Sequence, residues 1–154
     1  MKRTLVLEGE QPLSWNELYS GKHWAIRQEK ARRAHALVRA CLDPDDPPFT
    51  RPVHITFRAY FAKQPQDCSN LCVKVYEDGL VDWWLVDDSP LYVRSVLAIS
   101  LVDKDNPRVE IECEEITDGE PLELNGLMFA CTCGRRFKQL AQLLDHRELG
   151  ECGG

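Results

Sequence analysis

The sequence has no apolar run of about 18 residues, the length that a membrane-spanning helix needs. Its first ten residues, MKRTLVLEGE, hold no long apolar segment before a small-residue cleavage site, so we do not expect a secretory signal peptide. Internal repeats and low-complexity tracts are also absent. These absences predict an intracellular protein. The 154 residues, 44% of them hydrophobic, suit one domain, or one domain and a small appendage.

The net charge of −6 argues mildly against nucleic acid as a partner, but the charges are unevenly distributed. Residues 22–40 contain six basic side chains and one acidic side chain. Residues 77–88 contain five acidic side chains and residues 110–123 contain seven, with no basic side chain in either segment. A nuclease needs this kind of separation, because acids surround a metal ion while bases face the phosphates.

Alternating or strongly apolar runs predict strands at residues 4–8, 53–61, 91–102 and 108–116. Because only a short turn separates the last two strands, we expect them to form a hairpin. A capping box of Ser14 and Glu17 predicts a short helical turn. With the helices considered next, the element order predicts an α/β domain of the α+β type, a small mixed sheet with helices packed on it, over residues 1–117.

A long helix is predicted at residues 23–42 from the helical spacing of its apolar side chains. The apolar stripe consists of Trp24, Ala31, Ala34, Leu37, Val38 and Cys41. Arg27 falls inside this stripe, so it must extend to solvent or reach a partner. The basic side chains of this region are either a solvated helix face or a set of DNA phosphate contacts, and the candidate contacts are Lys22, Arg27, Lys30 and Arg33.

Carboxylates stand at both ends of residues 67–88, DCSNLCVKVYEDGLVDWWLVDD. Ser69 or Asn70 is placed to cap a helix that Gly79 can end. Lys74 and Asp78 are four residues apart and therefore share one face of that helix.

Clustered carboxylates repel one another, and a divalent cation such as Mg²⁺ relieves this repulsion. Aspartates at a helix start and in a turn are also ordinary without a metal, so the spacing leaves both interpretations open. In the same segment, Trp83, Trp84 and Leu85 are candidates for core, for a dimer surface or for a wedge into DNA.

The order of these residues resembles the core motif of the RusA-like Holliday junction resolvases. Their usual motif is D-x-D-N, then a lysine and an aspartate four apart, then an Asp-Asp pair. The corresponding residues of this chain are Asp67, Asn70, Lys74, Asp78, Asp87 and Asp88. Ser69 stands in the place of the second aspartate, and Lys74 lies one residue further from the asparagine than is common.

The resemblance implies a Mg²⁺- or Mn²⁺-dependent endodeoxyribonuclease that cleaves branched DNA as a homodimer. It implies the cytoplasm of a bacterial cell or of a phage-infected host. Asp67, Asp87 and Asp88 would bind the metal, and Lys74 would stabilise charge at the scissile phosphate.

In the same interpretation Asp78 would either hold Lys74 by an ion pair or lie just outside the ligands of the metal, and Asn70 would cap or orient the loop. Because serine is a poorer metal ligand than aspartate, Ser69 requires either a neighbour such as Glu77 or Asp88 to fill its place, or weaker turnover. The alternative function is therefore a nucleic-acid- or protein-binding module that keeps the fold and has lost turnover.

Seven cysteines are present, and three of them lie near the C-terminus with one histidine, which favours a metal site over disulfides. The pattern F-x-C-x-C-x₃-F-x₅-L-x₂-H-x₅-C in residues 129–152 is similar to a zinc finger of the C2HC type. Its zinc ligands would be Cys131, Cys133, His146 and Cys152, in a closed structural site.

Residues 118–128 are the expected linker to this unit of residues 129–154. Arg135, Arg136 and Lys138 make the unit locally basic, which suits DNA or a protein partner equally. The remaining cysteines, Cys41, Cys68, Cys72 and Cys113, are interpreted as small, partly buried hydrophobic residues.

Overall fold

The computed structural model describes residues 1–21 and 23–117, together with the backbone of two short strands near the C-terminus. The elements are β1 (Lys2–Glu8), α1 (Trp15–Tyr19), α2 (Trp24–Cys41), β2 (Val53–Phe61), a 3₁₀ turn (Cys68–Asn70), α3 (Val73–Leu80), β3 (Val93–Val102), β4 (Arg108–Glu115), β5 (Phe129–Ala130) and β6 (Arg136–Phe137). Among the described residues, no helix has the length and apolarity to cross a membrane.

The main sheet has four strands in the order β1–β4–β2–β3. β4 lies antiparallel to both β1 and β2, whereas β2 and β3 are parallel. The prediction of a small mixed sheet with helices is confirmed. The four predicted strands are also confirmed, each with bounds within two residues of those expected.

The predicted hairpin of the last two strands is wrong, because β2 lies between β3 and β4. The loop that joins β3 to β4 passes over the end of β2, where the Asp103 N–H donates to the Phe61 carbonyl at 2.9 Å. Two strand spacings amount to about 10 Å, a distance that a five-residue loop can cover. A short loop therefore allows either arrangement, and the parallel pairing of β2 with β3 through the α3 crossover decides between them.

One face of the sheet carries the core, beneath α2 and α3. The alternate residues of β2 that point to this face are all buried, as the period of its sequence predicts. They meet the buried Val109, Ile111 and Cys113 of β4, and the Phe57 ring lies 5.2 Å from the Tyr76 ring of α3. The opposite face carries ion pairs, such as that of Arg58 of β2 with Glu112 of β4 at 3.4 Å.

α3 differs from the prediction at both ends. The backbone turns through a separate 3₁₀ segment at Cys68–Asn70, and α3 begins after Cys72, which forms no side-chain cap. The prediction that Ser69 or Asn70 caps this helix is therefore wrong. Gly79 lies inside the helix, and a Cβ built on it would stand 2.9 Å from the Val38 Cβ of α2. Glycine is required there by the close approach of two helices, and not by a helix end.

The apolar stripe of α2 is only partly confirmed. Ala34 and Val38 are buried, and Ala31 and Leu37 pack against the core, but Trp24 is exposed. The remaining cysteines divide in the same way: Cys72 and Cys113 are buried, whereas Cys41 and Cys68 are exposed. Trp84 and Leu85, for which three roles were open, belong to the core, and Trp83 packs against it.

Candidate functional site

α3 presents a lysine and an aspartate on one exposed face. The Lys74 Nζ lies 2.6 Å from an oxygen of Asp78, one helical turn further on. The same ammonium contacts the Asp88 carboxylate, which comes from the segment after the helix. The structure thus brings together three residues that the sequence motif separates by up to 14 positions.

The segment that returns Asp88 to the helix is fixed by a buried anchor. After α3 the chain turns through Asp82, whose φ of 68° lies in the left-handed region. Trp84 then enters the core, where its indole N–H donates to Asp46 at 3.1 Å and its carbonyl accepts from the Phe49 N–H at 2.8 Å. The tryptophan that the sequence left open between core and DNA wedge therefore positions the Asp87–Asp88 pair.

The charges in this cluster reinforce one another. Partial burial opposes the charge of Lys74, but its hydrogen bonds to Asp78 and Asp88 outweigh this and raise its pKa above the ordinary value. The hydrogen bond from Lys74 in turn lowers the pKa of Asp88. Both groups are therefore ionised at neutral pH.

Glu77 is a buried carboxylate beside the same cluster, with 8% of its surface exposed. Burial raises its pKa; Lys74 opposes this rise, and the neighbouring charges of Asp88 and Asp78 add to it. Glu77 is thus a second type of acid at the site, one that its surroundings bias toward the neutral form.

The 3₁₀ turn that carries Asp67 and Ser69 is tied to the start of α1. Asn70 accepts the Asn16 backbone N–H on its side-chain oxygen at 3.3 Å. Just after the turn, the Cys72 N–H donates to the Leu13 carbonyl at 2.8 Å. Asn70 therefore supplies a hydrogen-bond acceptor to the first turn of α1, while Asp67 and Ser69 remain exposed to solvent.

Three carboxylates were expected to share a metal ion. Among residues 1–21 and 23–117, no group of three His, Cys, Asp or Glu side chains is arranged so that it could hold one. The structure brings Asp88 to Lys74 and Asp78, but does not assemble Asp67, Asp87 and Asp88 into a three-donor set. Magnesium in enzymes is often held by one or two carboxylates together with substrate phosphates and water. The adjacent Asp87 and Asp88 fit an open site of that kind. They do not fit a closed site in which the protein supplies every ligand.

The basic side chains predicted to contact DNA have partners of their own. Lys30 contacts Glu17, and Arg33 forms two hydrogen bonds to Glu10, of 3.3 and 3.1 Å. Arg27, expected to reach a partner, places its guanidinium 5.0 Å from the centre of the Tyr19 ring.

A buried network around Glu10 was missed by the sequence analysis. Glu10 is 2% exposed, and it accepts from the Tyr76 hydroxyl at 3.0 Å as well as from Arg33. The same hydroxyl accepts the Leu13 backbone N–H at 3.0 Å. Burial and the charge of Glu10 raise the pKa of Tyr76. A single glutamate after a turn forms no periodic pattern, so the sequence alone does not reveal this network.

The four predicted zinc ligands, Lys22, and the side chains of the three basic residues in the C-terminal unit lie outside the described residues. The backbone of β5 and β6 is described, and it forms an antiparallel pair with Phe129 opposite Phe137. These strands flank the segment that carries Cys131 and Cys133. No known family model matches the chain, and no curated protein sequence matches it.

Proposed function

We propose that this chain is a Mg²⁺-dependent, structure-selective endodeoxyribonuclease that hydrolyses a phosphodiester bond in Holliday junctions or other branched DNA. The observation that supports this function best is the contact of the Lys74 ammonium with both Asp78 and Asp88 at an exposed site. In the RusA-like motif, a lysine, the aspartate four residues further on and an aspartate from a later turn would lie together at such a site.

Lys74 has the properties of a phosphate-binding group. Its ammonium has three N–H donors, and two carboxylates engage it here. With 45% of its side chain exposed, the group is open to an incoming phosphate. Asp78 would keep the ammonium oriented while it stabilises the charge that develops on the phosphate oxygens.

A divalent cation bound to Asp87 and Asp88, and to Asp67 as the motif implies, would supply an activated water and neutralise the leaving oxygen. Phosphate oxygens of the DNA would complete its coordination, which accounts for a donor set that is incomplete in the protein alone. Glu77 is a further carboxyl group beside this cluster; it is buried, and the charges of Asp88 and Asp78 add to the rise of its pKa.

A second candidate is a binding module that keeps this fold and has no turnover. Two observations favour it: Ser69 replaces a carboxylate of the motif, and the described residues contain no group of three metal donors. The same Lys74 cluster would then contact phosphate without cleaving DNA.

Cleavage of a synthetic four-way junction separates the two functions. The endonuclease predicts nicks in the junction with Mg²⁺, none with EDTA, and none in a linear duplex of the same sequence. Asp87→Asn should abolish the nicks and keep junction binding. Intact junction binding by the wild type, without nicks at any Mg²⁺ or Mn²⁺ concentration, would support the binding module instead.

We also propose that two copies associate, as the motif implies. β3 is an edge strand of the sheet, and it exposes Val96, Leu97 and Val102. An apolar edge with free backbone groups suits pairing with a second copy. Sedimentation should show a dimer that Leu97→Asp weakens and that Lys104→Asp, a charge change in the following loop, leaves intact.

Zinc bound by Cys131, Cys133, His146 and Cys152 is the third part of the proposal. The antiparallel pairing of β5 with β6 supports it, since the first two cysteines of such a finger lie between paired strands. Elemental analysis should find about one zinc per chain. Cys131→Ser should lose the metal, and Cys41→Ser, which changes an exposed cysteine of α2, should retain it.

A further inference from the structure

An open cavity of about 300 Å³ lies between α1 and α2. Its floor is apolar and consists of Leu18, Ala31 and Val75. Tyr19 and Trp24 form its sides, and Arg27 lines it as well. Apart from Arg27, a predicted phosphate contact, these side chains have no role in the proposed function.

The two aromatic side chains of this cavity are unusually open to solvent. Tyr19 is 59% exposed and Trp24 is 56% exposed, although both border an apolar floor. Trp15 extends the aromatic surface, with its ring 5.5 Å from that of Tyr19. Large exposed aromatic groups around a concave apolar surface indicate a binding site for a flat, apolar-faced group.

Arg27 adds a positive charge at this place. Its guanidinium lies 5.0 Å from the centre of the Tyr19 ring. In the described part of the chain it forms no ion pair, whereas Lys30 and Arg33 on the same helix each contact a carboxylate. The charge is therefore available to an anionic group of a ligand.

The cavity and the Lys74 cluster share helix α3. Val75, in its floor, is the next residue of α3 after Lys74. α1, which carries Tyr19, is fastened to the turn of Asp67 by the hydrogen bond from the Asn16 N–H to Asn70. A ligand in the cavity and a phosphate at Lys74 would thus both contact α3.

We propose that this cavity receives one unpaired nucleobase of the DNA, which stacks on Tyr19 and Trp24 while Arg27 faces an adjacent phosphate. Every base has an aromatic face, so stacking on tyrosine and tryptophan holds an unpaired base without regard to sequence. A base inside a duplex is not accessible to such a site, which would account for the proposed selection of branched over linear DNA. The inference rests on the proposed function, because it assigns the substrate of the same site.

The test compares two four-way junctions that differ at one unpaired nucleotide beside the branch point, which either carries thymine or is abasic. Affinities are measured by fluorescence anisotropy in EDTA, so that no cleavage is needed. The wild type should bind the thymine junction about 10-fold more tightly than the abasic junction. Tyr19→Leu with Trp24→Leu should remove this preference and leave affinity for the abasic junction unchanged.

Two further variants serve as matched controls. Tyr19→Phe keeps the ring and should keep the preference. Val6→Ala shortens an exposed apolar side chain on β1, away from the proposed sites, and should also keep it. Thermal unfolding of each variant checks that the fold is retained.

Equal affinity of the wild type for both junctions would overturn the inference without any variant. Binding of the wild type to neither junction would also overturn the inference, as would a preference that survives in the double leucine variant. Binding of a protein, instead of DNA, through these aromatic side chains would overturn it too. A base preference without cleavage under any condition would remove only the nuclease function. Cleavage without a base preference would remove only the cavity's assignment.

Discussion

Two polar clusters lie on helix α3, and they use similar chemistry in opposite surroundings. In one, Arg33 and the Tyr76 hydroxyl converge on Glu10, which is 2% exposed. In the other, Lys74 lies between Asp78 and Asp88, whose side chains are 39% and 33% exposed. Tyr76 and Lys74 are two residues apart, and therefore point to different sides of the helix.

The two clusters differ in whether their polar groups remain free to contact another molecule. Around Glu10, the tyrosine hydroxyl both donates and accepts, so the buried polar groups are satisfied within the protein. Around Lys74, the ammonium and both carboxylates are open to solvent and to a phosphate. We infer that the Glu10 cluster holds β1, α2 and α3 together, whereas the Lys74 cluster is available for function.

The largest expected effect is on cleavage by Lys74→Met. Loss of one charged donor at the phosphate should lower the cleavage rate by about 10²–10³-fold. The free energy of unfolding should change by less than about 1 kcal/mol, because exposed ion pairs contribute little. Single-turnover cleavage and urea denaturation measure the two quantities.

Lys104→Met removes an exposed lysine from the loop between β3 and β4, and should leave both quantities unaltered. If Lys74→Met cleaves at the wild-type rate, Lys74 has no part in the chemistry.

The next effect is on stability, through Glu10→Ala. This change leaves the buried Tyr76 hydroxyl without its acceptor and should lower the free energy of unfolding by about 2–4 kcal/mol. Denaturant unfolding measures it. Glu8→Ala, at an exposed position of β1, should stay within about 0.5 kcal/mol. Similar losses for the two variants would show that the Glu10 cluster contributes no more to the free energy of unfolding than an exposed side chain of β1.

A smaller loss is expected from Gly79→Ala, which tests the helix contact that both clusters share. The new Cβ would lie 2.9 Å from the Val38 Cβ, and overpacking of this kind costs about 1–3 kcal/mol. The better helix propensity of alanine returns about 1 kcal/mol. Urea denaturation should therefore show a net loss of up to about 2 kcal/mol.

A double-variant cycle identifies the cause of that loss. In a Val38→Ala background the clash is relieved, so Gly79→Ala should be neutral or stabilising there. An undiminished loss in this background would mean that Gly79 is required for another reason.

The smallest effect is the pH dependence contributed by Glu77. Burial raises its pKa above the ordinary value of 4.5, so the folded state binds its proton more tightly than the unfolded state. The stabilising contribution of Glu77 is therefore complete below about pH 4.5 and is lost as the pH rises through the folded pKa.

Glu77→Gln removes this dependence. The melting temperature of the wild type, relative to the variant, should be highest in the acidic range and should fall as the pH increases toward 8. A constant difference between the two proteins across this range would contradict the assignment. Asp88 has the opposite sign: its lowered pKa contributes stability above its ordinary value of 3.8, and this contribution is lost in acid.

Local features of the fold were predictable from the sequence. The period of two in β2 follows from its buried face, and the Ser14 cap from the spacing to Glu17, whose N–H donates to the serine hydroxyl at 3.0 Å. Strand order was not predictable, because a short loop before β4 is compatible with pairing to β3 or with passage over β2. The exposure of Trp24 was missed because helical spacing identifies a face but not where the covering core ends.

In the candidate site, too, the local contact was predictable and the contacts between distant segments were not. The contact of Lys74 with Asp78 follows from their spacing on one helix, and the structure confirms it. The approach of Asp88 depended on a resemblance and required Trp84 to fold the intervening segment inward. Glu10 reaches Tyr76 across 66 positions of sequence, a distance over which no local pattern gives information.

One measurement tests the contrast between the clusters most directly. It is the single-turnover rate at which saturating protein cleaves a four-way junction with Mg²⁺. The rate is compared between the wild type, Asp88→Asn and Glu10→Gln. We predict a loss of at least about 100-fold for Asp88→Asn. Folded Glu10→Gln should stay within about threefold of the wild type, a difference of less than 1 kcal/mol in activation free energy. Equal rates for the two variants, or a wild type that does not cleave the junction, would contradict the account.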